Sequence, residues 1–259
     1  MGWATRTQAE EALSRLLEQY ERLTTSDIIP AITDILPTIT DNNPDELVNL
    51  VCAIAMCGDF AQWWGSATAV NLALGGFLNF LGVERLSDLR TRPRSELSQA
   101  ALICLRAVPE RRVTECVDII RRVIRVTEYL NGDWSTVRTL DDAKVRRLVR
   151  GITQEPVAAL IIMQTLGADD VRPLPSGGAA SCLMKIGIVE TWVPEYVSGG
   201  HRAVREEALK VLQGLSPEVF LAVHWWGGGG SVGSSVGCPE ACTCCGAATY
   251  CDALFRGLV

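Results

Sequence analysis

The sequence predicts an all-α protein, and three observations carry that expectation. Apolar residues recur at three- and four-residue intervals through most of the chain, the spacing that lines one face of a helix. Hydrophobic residues make up 48% of the chain and aromatic residues only 6%, so Ala, Leu, Val and Ile dominate a composition that suits helix packing and argues against disorder. Recognisable helix starts and stops punctuate the pattern. At 259 residues the chain is long for one domain and allows two lobes that share a cleft.

In chain order, Thr7 can cap a helix whose stripe is Ala9, Leu13, Leu16, Leu17 and Tyr20, continued by Leu23. Pro30 and Pro37 break the next stretch into turns, and Asn43-Pro44-Asp45 opens an apolar helix running to about Cys57, stopped at Gly58. Residues 66–81 read as a helix rich in small residues, in which Gly75-Gly76 either kinks the helix or allows close packing against a neighbour, packing being the expected role. Two helix starts follow, at Ser87-Asp88-Leu89 and at Pro93-Arg94-Ser95-Glu96-Leu97. From Glu110 to Leu130, Val113, Val117, Ile120, Ile124 and Val126 form an apolar face, with Arg111, Arg112, Arg121, Arg122 and Arg125 on the wet one.

Asn131-Gly132-Asp133 is a turn, Thr139-Leu140-Asp141-Asp142 caps another helix, and Gly151 stops it. Residues 156–167 read as a buried core helix. Asp169 to Gly178 is an irregular connector rich in Pro and Gly, followed by helices at Ala179–Ile186, Arg202–Gln213 and from Ser216-Pro217-Glu218 to near Trp226. Gly227 to Gly237 then forms a tether to a cysteine-rich segment.

Charge narrows the partners. The chain carries a formal −6, whereas a duplex-binding surface must offset a dense row of phosphates with Lys and Arg. DNA is therefore disfavoured, although residues 84–150 hold 15 basic against 10 acidic side chains and can still form a basic surface. No basic start leads into an unbroken apolar run, and no stretch of about 18 charge-free apolar residues occurs, so neither export nor a membrane span is expected. The expected location is cytoplasmic.

Five of the ten cysteines crowd between Cys238 and Cys251, which favours metal ligation over a disulfide framework. Cys52, Cys57, Cys104, Cys116 and Cys182 lie among apolar residues and are expected to be small buried hydrophobes. Cys238-x3-Cys242-x2-Cys245-x5-Cys251 can present four thiolates to a cubane [4Fe-4S] cluster, with Gly237 and Gly246 letting the backbone turn closely. Cys244 can substitute for Cys242 or Cys245. A four-cysteine zinc site also uses the x2 spacing and remains the rival, with disulfides or unligated thiols as a further alternative.

The spacing Cys242-x2-Cys245-x5-Cys251, with Pro217-Glu218 and His224-Trp225 upstream, resembles the cluster loop of the endonuclease III family of helix-hairpin-helix DNA glycosylases. The first ligand departs from the family pattern, since three residues separate Cys238 from Cys242 where the family has six and would place a ligand near Ser235. A weaker likeness covers residues 45–259 through the helix at Asp45–Cys57, Phe80-Leu81-Gly82-Val83 with Leu86, and Asn131-Gly132-Asp133 leading to Leu140 and Leu148. The resemblance implies a two-lobed helical fold: 1–44 with 168–237 in one lobe, 45–167 in the other with a degenerate hairpin at 148–160, and a cluster loop at 238–251.

It also implies that the catalytic residues have been lost. Gly151-Ile152-Thr153-Gln154-Glu155-Pro156 stands where the family's hairpin brings glycine amides to a phosphate and, in bifunctional members, a lysine to the sugar. Thr153 falls near the second glycine and Glu155 near the lysine. Ser176 or Gly177 falls at the catalytic aspartate, with Asp169 and Asp170 a few residues earlier.

Three functions follow as expectations. The first is an iron–sulfur protein turned from base excision to small-molecule chemistry in the cleft, with Cys57, Glu155, Asp170, Ser176 and His224 as candidate cleft residues. The second is a DNA glycosylase or lesion binder using Asp170. The third is a non-catalytic protein in which the cluster staples the tail to the helical body.

Overall fold

The computed structural model describes residues 6–25, 44–59, 64, 66–168, 176, 179–180, 182–183, 186–188, 210–212, 214–224 and 226. All the regular structure among them is helical, as the spacing of apolar residues predicts. The turns at Pro30 and Pro37, most of the Asp169–Gly178 connector, most of the helix expected at Arg202–Gln213, the tether and the cysteine segment lie outside the described residues. The chain divides into two compact units, Met1–Ile29 with Arg172–Val259, and Pro30–Val171.

In the first unit, α1 (Arg6–Thr25) packs against α8 (Pro217–His224). Ala12 and Leu16 bury the inner stripe of α1, while Phe220, Ala222, Val223 and His224 bury much of α8. Helix α1 begins one residue before Thr7, within the ordinary uncertainty of helix ends.

The second unit is organised around α2 (Pro44–Asp59). Its residues Val51 to Cys57 are all 0% exposed, so the helix has no wet face along this stretch and must be enclosed on every side. The enclosing elements are α3 (Ala67–Phe80), α5 (Val113–Tyr129) and α7 (Pro156–Thr165). Helix α7 is the expected core helix: Ala158 to Met163 are all buried. Helices α4 (Arg94–Cys104) and α6 (Asp142–Ile152) pack on α5. Asp141 caps α6 by accepting the Lys144 N–H at 2.9 Å, as the sequence predicts.

Helix α5 ends where Asn131 and Gly132 take left-handed backbone, at φ 53° and 81°. That conformation lets the Gly132 N–H return to the Thr127 carbonyl at 2.9 Å and occupies a carbonyl the helix end would leave open. Thr127 then joins α5 to the 3-10 turn Trp134–Thr139. Its hydroxyl donates to the Val123 carbonyl at 2.9 Å and accepts the Trp134 indole N–H at 3.2 Å, so the fully buried tryptophan has its polar atom satisfied.

Several local expectations need correction. Gly75 and Gly76 neither kink α3 nor serve close packing: the helix runs unbroken, and an added Cβ at either position would meet nothing within 4 Å. Cys104 is half-buried rather than a core residue, its Sγ 3.7 Å from the Gly76 carbonyl. Arg122 leaves the wet face of α5 and reaches toward Asp59 at 3.9 Å. Gly151 does not stop α6, which continues through Ile152.

Because those two glycines contribute backbone entropy and no packing, Gly75→Ala and Gly76→Ala should each raise stability by about 0.5–1 kcal/mol. Denaturant unfolding of the two variants measures this. A loss of stability in both would show that the space beside α3 is needed.

Candidate functional site

Among the described residues, two groups of buried or half-buried polar side chains, one in each unit, contain residues singled out by the sequence. In the second unit, the end of α2 meets the turn between α6 and α7. Thr153, fully buried, donates its hydroxyl to Asp59 Oδ1 at 3.1 Å and accepts the Glu155 N–H at 3.0 Å. One hydroxyl thus ties positions 94 residues apart.

Glu155 caps α7. Its Oε2 accepts the Ala158 N–H at 2.6 Å, and Pro156 follows at the first helical position, where a missing N–H costs nothing. The carboxylate sits at the positive end of the helix dipole, which favours its charge, yet burial outweighs that help. Desolvation pushes Glu155 up to about 7; hydrogen bonds from Ala158 and Val157 pull it down, and the nearby Asp59 charge raises it further. Asp59 is raised too, first by burial, against the lowering influence of the Thr153 hydroxyl and the Arg122 guanidinium.

The thiols nearby are poor nucleophiles. Burial drives Cys52 far above the ordinary thiol range, and it drives Cys116 to about 12, so neither supplies thiolate near neutrality. Cys57 is fully buried in α2.

In the first unit, Ser176 and His224 meet across 48 residues of sequence, with Oγ 2.6 Å from Nδ1. Both are 5% exposed. The Ser176 Oγ accepts the Ala179 N–H at 3.0 Å and its carbonyl accepts the Ala180 N–H at 3.0 Å, so the serine opens a helical turn. The hydroxyl has one proton to give and two lone pairs to accept with, so it can serve the Ala179 amide and the His224 Nδ1 at once. Phe220 packs on the ring with centroids 5.8 Å apart. The arrangement holds the imidazole in one orientation and joins α8 to the turn that Ser176 opens.

The candidate residues thus fall in two places: Glu155 and Cys57 in the second unit, Ser176 and His224 in the first. Asp170 lies outside the described residues, as do Cys238, Cys242, Cys244, Cys245 and Cys251. Among the described residues, no three His, Cys, Asp or Glu are grouped to hold a metal ion, and no helix is long and apolar enough to cross a membrane. Sequence reasoning passed over Asp59 and the inward turn of Arg122. The signal for Asp59 was a carboxylate at the end of a helix whose last turns are apolar, a residue that needs partners if it is enclosed. Its partners arrive from α5 and from beyond α6, which local spacing does not reveal. Comparison with known protein families, curated proteins and solved structures yields no match.

Two measurements check these clusters. A carboxyl whose folded value lies above its unfolded one binds the extra proton in the native state, so its stabilising contribution is complete below about 4.5 and is lost as pH rises toward about 7. Glu155→Gln keeps an oxygen for the Ala158 N–H and removes the charge. It should flatten the stability–pH curve across that window and exceed the parent at pH ~8 by on the order of 1–2 kcal/mol, allowing for partial exposure. An unchanged slope would contradict the assignment. In the first unit, Ser176→Ala removes both the cap and the hydrogen bond to Nδ1 and should cost about 1–3 kcal/mol in urea unfolding; a neutral effect would mean the pair is not a structural tie.

Proposed function

We propose that this is an iron–sulfur protein in which Cys238, Cys242, Cys245 and Cys251 hold a [4Fe-4S] cluster, on a helical scaffold akin to the endonuclease III-like glycosylases but turned to a small-molecule substrate. The observation that carries the reading is the cysteine spacing itself. Four thiolates within fourteen positions, bent by Gly237 and Gly246, form a donor set suited to a cluster that bonds through sulfur. Such a cluster supplies electron transfer or, with an iron left open, a Lewis acid.

Two further facts support a substrate other than DNA. The chain's net charge of −6 opposes a polyanion. At the place where the resemblance implies a sugar-attacking lysine stands Glu155, whose carboxylate is engaged by the amides at the start of α7. A carboxylate there neither forms a Schiff base nor attracts phosphate.

Anaerobically purified protein should contain about four iron and four acid-labile sulfide per chain, with broad visible absorbance. Cys242→Ser and Cys245→Ser should each lose most of that absorbance, while Cys104→Ser should retain it. Colourless protein without iron would overturn the cluster. Binding to a duplex carrying an abasic site, weakening steeply with salt, would instead favour a lesion-binding role.

A further inference from the structure

The second unit carries a groove that neither the cysteine segment nor the buried polar clusters explain. It lies between α5, the first turn of α4 and the 3-10 turn Leu86–Thr91, and offers about 480 Å³ open to solvent on one side. Leu89 and Ile124, both buried, lie beneath its polar rim. That rim consists of Arg90, Arg94, Arg121 and Arg125 with Asp118 and Glu128. Four cations against two anions leave a local charge of +2, on a chain whose formal total is −6.

The arrangement of the pairs matters more than the sum. Asp118, Arg121, Arg125 and Glu128 are spaced three, four and three residues apart and so follow one face of α5. The two carboxylates are engaged across the groove rather than along the helix. Asp118 Oδ1 pairs with Arg94 at 2.8 Å, and Glu128 Oε1 pairs with Arg90 at 2.8 Å. Arg121 and Arg125, between them, have no hydrogen bond or ion pair with a protein group among the described residues. One turn apart on the same face of α5, both line the groove, with guanidinium donors unspent among the described residues.

We propose that this groove binds a phosphorylated small molecule, its phosphate dianion held between Arg121 and Arg125. Guanidinium forks match phosphate oxygens in pairs, and two forks on adjacent turns suit one diphosphate or one phosphate monoester. The flanking ion pairs limit the length of the anion. A nucleic-acid strand would carry further phosphates past the central arginines to Arg94 and Arg90, whose guanidinium groups are already engaged by Asp118 and Glu128. The volume of the groove also lies in the range of sites for small organic ligands.

Calorimetric titration of the full chain with inorganic pyrophosphate, with adenosine diphosphate and with a single-stranded oligonucleotide tests this. Pyrophosphate and the nucleotide should bind and compete with each other. Arg121→Ala combined with Arg125→Ala should weaken both by at least about tenfold, whereas Arg111→Ala, exposed and outside the groove, removes the same charge and should change little. Lysines at 121 and 125 should recover only part of the affinity, because they restore charge without the paired geometry. Glu128→Gln should tighten binding by removing a repelling charge and freeing Arg90. The Lys and Gln variants decide the matter if the double alanine variant fails to fold. Equal losses in the groove and control variants, no binding of either phosphate ligand, or an oligonucleotide that outcompetes both with a steep salt dependence would each overturn the proposal.

Discussion

A helix with no polar side to show to water sets the terms for the second unit. From Val51 to Cys57 every residue of α2 is excluded from solvent, so α2 is stable only while α3, α5 and α7 surround it. Burying such a stretch supplies the hydrophobic driving force, roughly 1.5–3 kcal/mol for each large side chain among Val51, Ile54 and Met56. It also fixes the order of the surrounding helices, since α7 must be apolar nearly all round to pack on it while α5 needs one apolar face and one polar face.

The same enclosure makes the end of α2 demanding. Asp59 follows the apolar run after Gly58 and is partly buried, so its charge needs compensation that the helix itself cannot provide. Thr153 and Arg122 supply it from α5 and from the turn between α6 and α7. Thr153 also receives the Glu155 amide, and Glu155 in turn receives the first amides of α7. The α6–α7 turn is therefore oriented by its polar links to α2, and the conformation that makes Glu155 a good cap also withdraws it from water. A glutamate here stabilises a junction at the expense of its own ionisation.

Much of the helical order was legible from sequence because it depends on local chemistry. The apolar stripe of α5, the Asp141 cap of α6 and the all-round hydrophobicity of α7 are each visible within one short window. The local corrections arise where a neighbour decides. Gly75 and Gly76 looked like contact residues only because nothing in their own segment says whether another helix comes near. Arg122 looked solvated because a helical wheel does not show a carboxylate arriving from α2. The meeting of Ser176 with His224 spans 48 residues and has no local signature at all. Arg121 and Arg125 were legible as polar positions, but their lack of ion-pair partners among the described residues follows from where Asp118 and Glu128 turn.

The cysteine segment stands apart from this logic, because its argument is one of ligand chemistry and spacing rather than packing. Iron and zinc compete for such thiolates, and they differ in one property that no spacing reveals: a cubane has metal atoms beside one another, whereas a single zinc has only sulfur. X-ray absorption at the iron and zinc edges of the purified chain separates them most directly. The account predicts an iron edge with an iron–iron scattering shell behind the sulfur shell. A zinc edge with sulfur neighbours alone, and no iron, would contradict it.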